Sequence, residues 1–83
     1  MINRERLHKL QTLAQAEDIA AFVVAQSASL FYLTEFSMGL SERPAFLLVP
    51  KQGEVSFLCP AFEAERVRRG TGIERLITYT DEA

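Results

Sequence analysis

The sequence predicts an α/β fold in which a mixed β-sheet is flanked by helices. Three observations lead there. Residues 4–16 carry leucines at helical spacing, four later segments are apolar runs of strand length, and the last two of these enclose a helix-like stretch. With 83 residues the chain is read as one domain over 1–83, and small domains bury a modest share of their surface.

Asn3 is a suitable N-cap for the first helix, since its side chain can accept an early backbone N–H. Leu7, Leu10 and Leu13 with Ala14 form its apolar stripe; Arg4, Glu5, Arg6, Lys9 and Gln11 are assigned to the wet side. The helix is expected to end near Ala16 or Glu17. "IAAFVVA", Ile19 to Ala25, is rich in apolar β-formers and lacks polar alternation, so it is expected to be an interior strand covered on both faces.

Ser27 can cap a short helix with Leu30 and Leu33 on one side, although Phe31, Tyr32 and Thr34 would also suit a strand. Ser37 to Glu42 reads as a loop. "AFLLV" (Ala45 to Val49) and "EVSFLC" (Glu54 to Cys59) read as strands joined by a turn in which Gly53 takes a positive φ, giving an antiparallel hairpin. Pro60 fits a helix start. Glu63 and Glu65 stand early in that helix and Arg66, Arg68 and Arg69 late, an order that complements the helix dipole; Gly70 is expected to stop it. "ERLITY", Glu74 to Tyr79, is the fourth strand, parallel to the third by the strand–helix–strand rule. Left at an edge, it would invite pairing with another chain. The sequence therefore reads as an N-terminal piece of something longer, or as a dimerising unit.

Composition narrows the function classes. A formal net charge of −2 argues against nucleic acid as a partner, because phosphate binding needs a basic face. No apolar run approaches the ~20 residues of a membrane span, and the charged start lacks the apolar core of a secretory signal. With one cysteine, a cytoplasmic location is the simplest expectation. His8, the lone histidine, has no H-x-x-x-H or C-x-x-C partner and reads as a surface residue. Cys59 precedes a helix start but has apolar neighbours and no nearby base, so it reads as a buried structural thiol. No phosphate-binding glycine motif occurs.

The Arg43-Pro44 pair stands out. Proline biases Arg43 toward an extended conformation at the mouth of a strand, where a guanidinium can hold a carboxylate through two parallel hydrogen bonds. Phe36, at the start of the same loop, could supply an apolar wall. The alternative is that Arg43 pairs with Glu42 or Glu35 at the surface, worth ~0–1 kcal/mol.

The ordered motifs "YLTEF" (Tyr32 to Phe36), "RPAFLLVP" (Arg43 to Pro50) and "EAER" (Glu63 to Arg66), after a helix of pattern "R…RL..L", resemble the N-terminal domain of the creatinase, prolidase and Xaa-Pro aminopeptidase family. The resemblance runs to about Tyr79. It implies a mixed α/β, ribonuclease H-like domain, truncated here, that precedes a separate C-terminal catalytic "pita-bread" domain. In the peptidases that second domain binds two divalent metal ions (Mn, Co or Zn) through two Asp, one His and two Glu, none of which can be placed on these residues. The implied activity of the parent is hydrolysis of a bond preceding proline by a metal-activated water. The chain itself is expected to hold no cofactor, to shape active-site access and to mediate homodimerisation beside its own catalytic domain. By the same resemblance Phe36 and Arg43 are candidates to contact substrate in trans. Creatinase-like hydrolases or lyases, and a stand-alone interaction module, are the other readings. The family commonly has Gly where Glu35 stands and Asn where Ser29 stands; losing the Gly restricts the backbone there.

Overall fold

A computed structural model of the chain describes residues 1–25, 27–36 and 44–80. Its elements run α1 (Arg4–Ala16), β1 (Ala21–Ala25), α2 (Ala28–Thr34), β2 (Phe46–Pro50), β3 (Ser56–Pro60), a short 3₁₀ turn (Ala61–Glu63), α3 (Ala64–Thr71) and β4 (Leu76–Tyr79). The four strands form one sheet in the order β1-β2-β3-β4. The β1/β2 and β2/β3 pairs are antiparallel and β3/β4 is parallel, so the sheet is mixed as expected. No helix among the described residues is long and apolar enough to cross a membrane.

Alternation along the central strands decides which face is buried. Leu47 and Val49 on β2, and Phe57 and Cys59 on β3, are wholly buried, with Leu47 paired to Phe57 in register. Phe22 and Val24 on β1 and Leu76 on β4 pack on the same cluster. Leu7 from α1, Leu30 and Leu33 from α2 and Val67 from α3 close over it. One core therefore lies on one side of the sheet, under all three helices.

Helix α1 starts where the cap predicts, with the Arg6 N–H donating to Asn3 Oδ1 at 3.0 Å. Two assignments on α1 need correction. Leu13 is 49% exposed, because at 100° per residue it sits about 120° round from Leu7, while Leu10 and Ala14 stay near it. Gln11 is not on the wet side: its amide donates to Pro50 O at 2.9 Å and Gly53 O at 3.1 Å. Gln15, one turn on, donates to Lys51 O at 2.6 Å. Together they hold the β2–β3 turn against α1, meeting backbone carbonyls that each need a donor.

β1 is not an interior strand. It is an edge of the sheet, begins at Ala21, and alternates in burial, with Val23 64% exposed. Its outward positions are apolar, which the sequence presents as a continuous run, yet no helix among the described residues lies over them. The fourth correction concerns Gly70. Helix α3 runs through it to Thr71, and Gly72 ends the helix with φ 77°. The left-handed conformation that stops a helix belongs to the residue after the last turn, and here a second glycine occupies it.

Candidate functional site at the junction of α2 and α3

Both of these helices end with the same device. Thr34, the last residue of α2, is fully buried. Its hydroxyl donates to Leu30 O at 2.8 Å and accepts the Phe36 N–H at 3.2 Å. Thr71 does the same for α3, donating to Val67 O at 2.7 Å and accepting the Ile73 N–H at 3.1 Å. In each case the intervening residue is left-handed: Glu35 with φ 56° and Gly72 with φ 77°. A buried threonine thus satisfies groups that a helix end would otherwise leave unpaired. The N-terminal strand of polypeptide then ties the two ends together, with the Asn3 N–H donating to Leu33 O and the Ile2 N–H to Thr71 O, each at 2.7 Å.

Phe36 leaves this junction with its half-buried ring laid on α3. A Cβ at Gly70 would collide with that ring, so the glycine inside the helix is a seat for the aromatic side chain. The Arg66 guanidinium stands 5.6 Å from the ring centroid and bonds Glu63 at 3.2 Å. On the other flank Arg6 lies 4.3 Å from the Tyr32 ring centroid, donates to Tyr32 O at 2.8 Å and approaches the Glu35 carboxylate at 3.7 Å. The chain returns at Pro44, whose carbonyl accepts the Tyr79 hydroxyl at 2.7 Å. The loop between, with Arg43, lies outside the described residues.

The other residues singled out in the sequence fall elsewhere. His8 is exposed on α1. Cys59 is wholly buried, and burial pushes its thiol pKa up, helped by the Glu63 charge and opposed by Arg68. A thiol so held is the structural one the sequence suggests. Arg68 and Arg69 pair with Glu65, at 3.1 and 3.4 Å, which fits their dipole role. No three His, Cys, Asp or Glu come together as metal ligands among the described residues.

Sequence reasoning missed the two threonines and the two glutamines. The threonines had a readable signal, because Thr34-Glu35-Phe36 and Thr71-Gly72-Ile73 repeat a pattern of threonine, left-handed residue and apolar residue. The glutamines had none, since their partners are backbone carbonyls some forty residues away.

Residues 6–83 match the model of the creatinase/prolidase N-terminal domain. The chain belongs to that family. A staphylococcal relative, an uncharacterised peptidase from Staphylococcus epidermidis, is 28% identical over 76 residues, which span 92% of this chain and 22% of the relative. A proline dipeptidase from Streptococcus pneumoniae superposes with a TM-score of 0.80 at 29% identity, over 90% of this chain and 55% of that one. The N-terminal domain of an Xaa-Pro dipeptidase from Lactobacillus brevis gives 0.80 at 25% identity, over 92% and 57%. The creatinase/prolidase motifs now have physical content. In "YLTEF" Tyr32 holds Arg6, Leu33 enters the core, Thr34 caps, Glu35 turns left-handed and Phe36 docks on α3. In "RPAFLLVP" the buried Ala45, Leu47 and Val49 alternate, and in "EAER" Glu63 bonds Arg66.

Proposed function

We propose that this chain is the non-catalytic N-terminal domain of a prolidase-like or Xaa-Pro aminopeptidase-like metallopeptidase, where it shapes access to the active site and takes part in dimerisation. The supporting observation is one of proportion. The chain belongs to an N-terminal domain family and corresponds to 22% of a peptidase relative, so about four-fifths of that relative lies outside the match. In this reading two divalent metal ions, held by the parent's C-terminal domain, would supply an activated water for hydrolysis before proline. Nothing in the chain is assigned to hold them.

The domain's part is to present a loop. Phe36 is seated on Gly70 and Pro44 is pinned by Tyr79, so both ends of the segment carrying Arg43 are anchored to the α3–β4 side of the fold. Arg43 then reaches a substrate carboxylate, in its own subunit's site or a neighbour's, and Phe36 forms the apolar wall beside it. The test is steady-state hydrolysis of an Xaa-Pro dipeptide with Mn²⁺ by the longest protein the reading frame encodes. Arg43→Ala is expected to raise KM about tenfold with a smaller change in kcat, since an interaction of ~1.4 kcal/mol shared by bound and transition states is lost. An unchanged KM would refute the role of Arg43, and absence of any Xaa-Pro hydrolysis by the unaltered protein would refute the peptidase reading.

A further inference from the structure

The ends of the segment that carries Arg43 are held in different ways. At its start Phe36 is held by packing, with its ring seated on Gly70. At its end the tie is a hydrogen bond, donated by the Tyr79 hydroxyl to Pro44 O at 2.7 Å. Register explains why a side chain is needed there. Pro60 on β3 pairs with Tyr79 on β4. Phe46 on β2 pairs with Leu58 on β3, and two further steps along that antiparallel register set Pro44 opposite Pro60. Pro44, Pro60 and Tyr79 thus fall in one row across the end of the sheet. Neither proline has an N–H, so backbone donors cannot tie Pro44 to Pro60. β4 lies two strands away from β2, about 10 Å at ~4.8 Å per strand. Crossing that gap takes a long side chain with a donor at its tip, and tyrosine supplies one with only two χ angles to fix.

The bond adds little to the fold. It is exposed, as is Pro44 itself, whereas Ala45 beside it is buried and already fixes the start of β2. What the bond constrains lies on the other side of Pro44, one peptide bond away, where Arg43 stands in the sequence. The proline ring locks φ of Pro44, and a held carbonyl fixes its ψ, so little rotation is left between the Tyr79 contact and the peptide plane that joins Pro44 to Arg43. The same ring biases Arg43 toward an extended conformation. We propose that Tyr79 is a positioning residue: its hydroxyl sets the direction from which Arg43 reaches a substrate carboxylate. The carboxylate rests on the functional reading above; the anchor rests on the hydrogen bond and the register alone.

The experiment uses Tyr79→Phe, which keeps the ring and removes the donor. In the 83-residue chain a nitroxide attached through Arg43→Cys reports motion at that position, while the buried Cys59 stays unlabelled. Tyr79→Phe is expected to shorten the label's rotational correlation time about twofold while the cooperative urea transition is retained, as loss of a single exposed hydrogen bond implies. In the longest protein the reading frame encodes, hydrolysis of an Xaa-Pro dipeptide with Mn²⁺ is expected to show KM raised about fivefold by Tyr79→Phe and kcat nearly constant. With Arg43→Ala already in place, Tyr79→Phe should leave KM where it is, an outcome that a merely structural tyrosine would not give. Equal label motion with and without the hydroxyl would overturn the proposal, as would a KM increase that persists when Arg43 is gone. Absence of hydrolysis by the unaltered protein would sink the functional reading alone, and the label would still decide whether Tyr79 holds position 43.

Discussion

Position 35 offers the sharpest test of how the helix ends are built. Glu35 sits at φ 56°, ψ 28°, a conformation that costs a residue with a Cβ about 1 kcal/mol or more and costs glycine little. Among the described residues its compensation is the Arg6 contact at 3.7 Å, between side chains that are 38% and 48% exposed, and solvent screening limits that to ~0–0.5 kcal/mol. Glu35→Ala keeps the strain and loses the contact, so it should be neutral or slightly destabilising. Glu35→Gly relieves the strain, and some of that gain is offset by the larger entropy of glycine in the unfolded chain. The balance leaves the Gly variant more stable than the Ala variant by about 1 kcal/mol. With a urea slope near 1 kcal/mol/M for a chain this size, the midpoints should differ by roughly 1 M. Equal midpoints, or a lower one for the Gly variant, would refute the claim that a left-handed residue after Thr34 is what ends α2.

Gly70→Ala should destabilise the fold by about 1–3 kcal/mol although alanine is the better helix former, because the new methyl meets the Phe36 ring. Combining it with Phe36→Ala should cost less than the two single changes summed, and additive midpoints in chemical denaturation would contradict the contact. Cys59 gives a pH dependence. Its folded pKa is raised above the ~8.5 of a free thiol, so the unfolded chain loses its proton first and binds fewer protons in that window. Stability is then full below about pH 8.5 and falls above it, by at most about 1.4 kcal/mol per pH unit, until the folded thiol also ionises. Cys59→Ala should lack this extra slope when urea midpoints are compared at pH 8 and 9.5; parallel slopes would count against it. Phe57→Ala, at the centre of the core, should cost about 3–5 kcal/mol and leave little folded protein by circular dichroism at 25 °C, whereas retention of a cooperative transition near the parent's would show that the core lies elsewhere.

Much of the fold was legible because local chemistry and long-range structure agree. Asn3 and Ser27 cap the helices they precede, the β2–β3 hairpin follows from its turn, and β3–α3–β4 gives a parallel pair. What misled were positions where two explanations share one residue pattern. The unbroken apolar run of β1 reads as an interior strand, yet it arises from two apolar faces of which one is open here. Gly70 reads as a helix stop, yet it is a seat for a ring 34 residues earlier in the chain, and only tertiary contact distinguishes the two. Leu13 and Gln11 exchange their expected environments because a stripe three residues wide does not say where its edges fall. At the candidate site, the place of Phe36 is a matter of packing that sequence could suggest but not fix, and Arg43 lies outside the described residues. Glu35 is the instructive case: it is a left-handed residue, so the glycine that the resemblance leads one to expect there would have a backbone cause.

The most direct check on the account is an assay of Xaa-Pro dipeptide hydrolysis by the purified 83-residue polypeptide, with Mn²⁺ present and no other protein in the tube. A scaffold whose chemistry is performed by another domain should release no product above the buffer control. Sustained release of proline proportional to the amount of this polypeptide would mean that it carries an active centre of its own, and the division of labour proposed for it would be wrong.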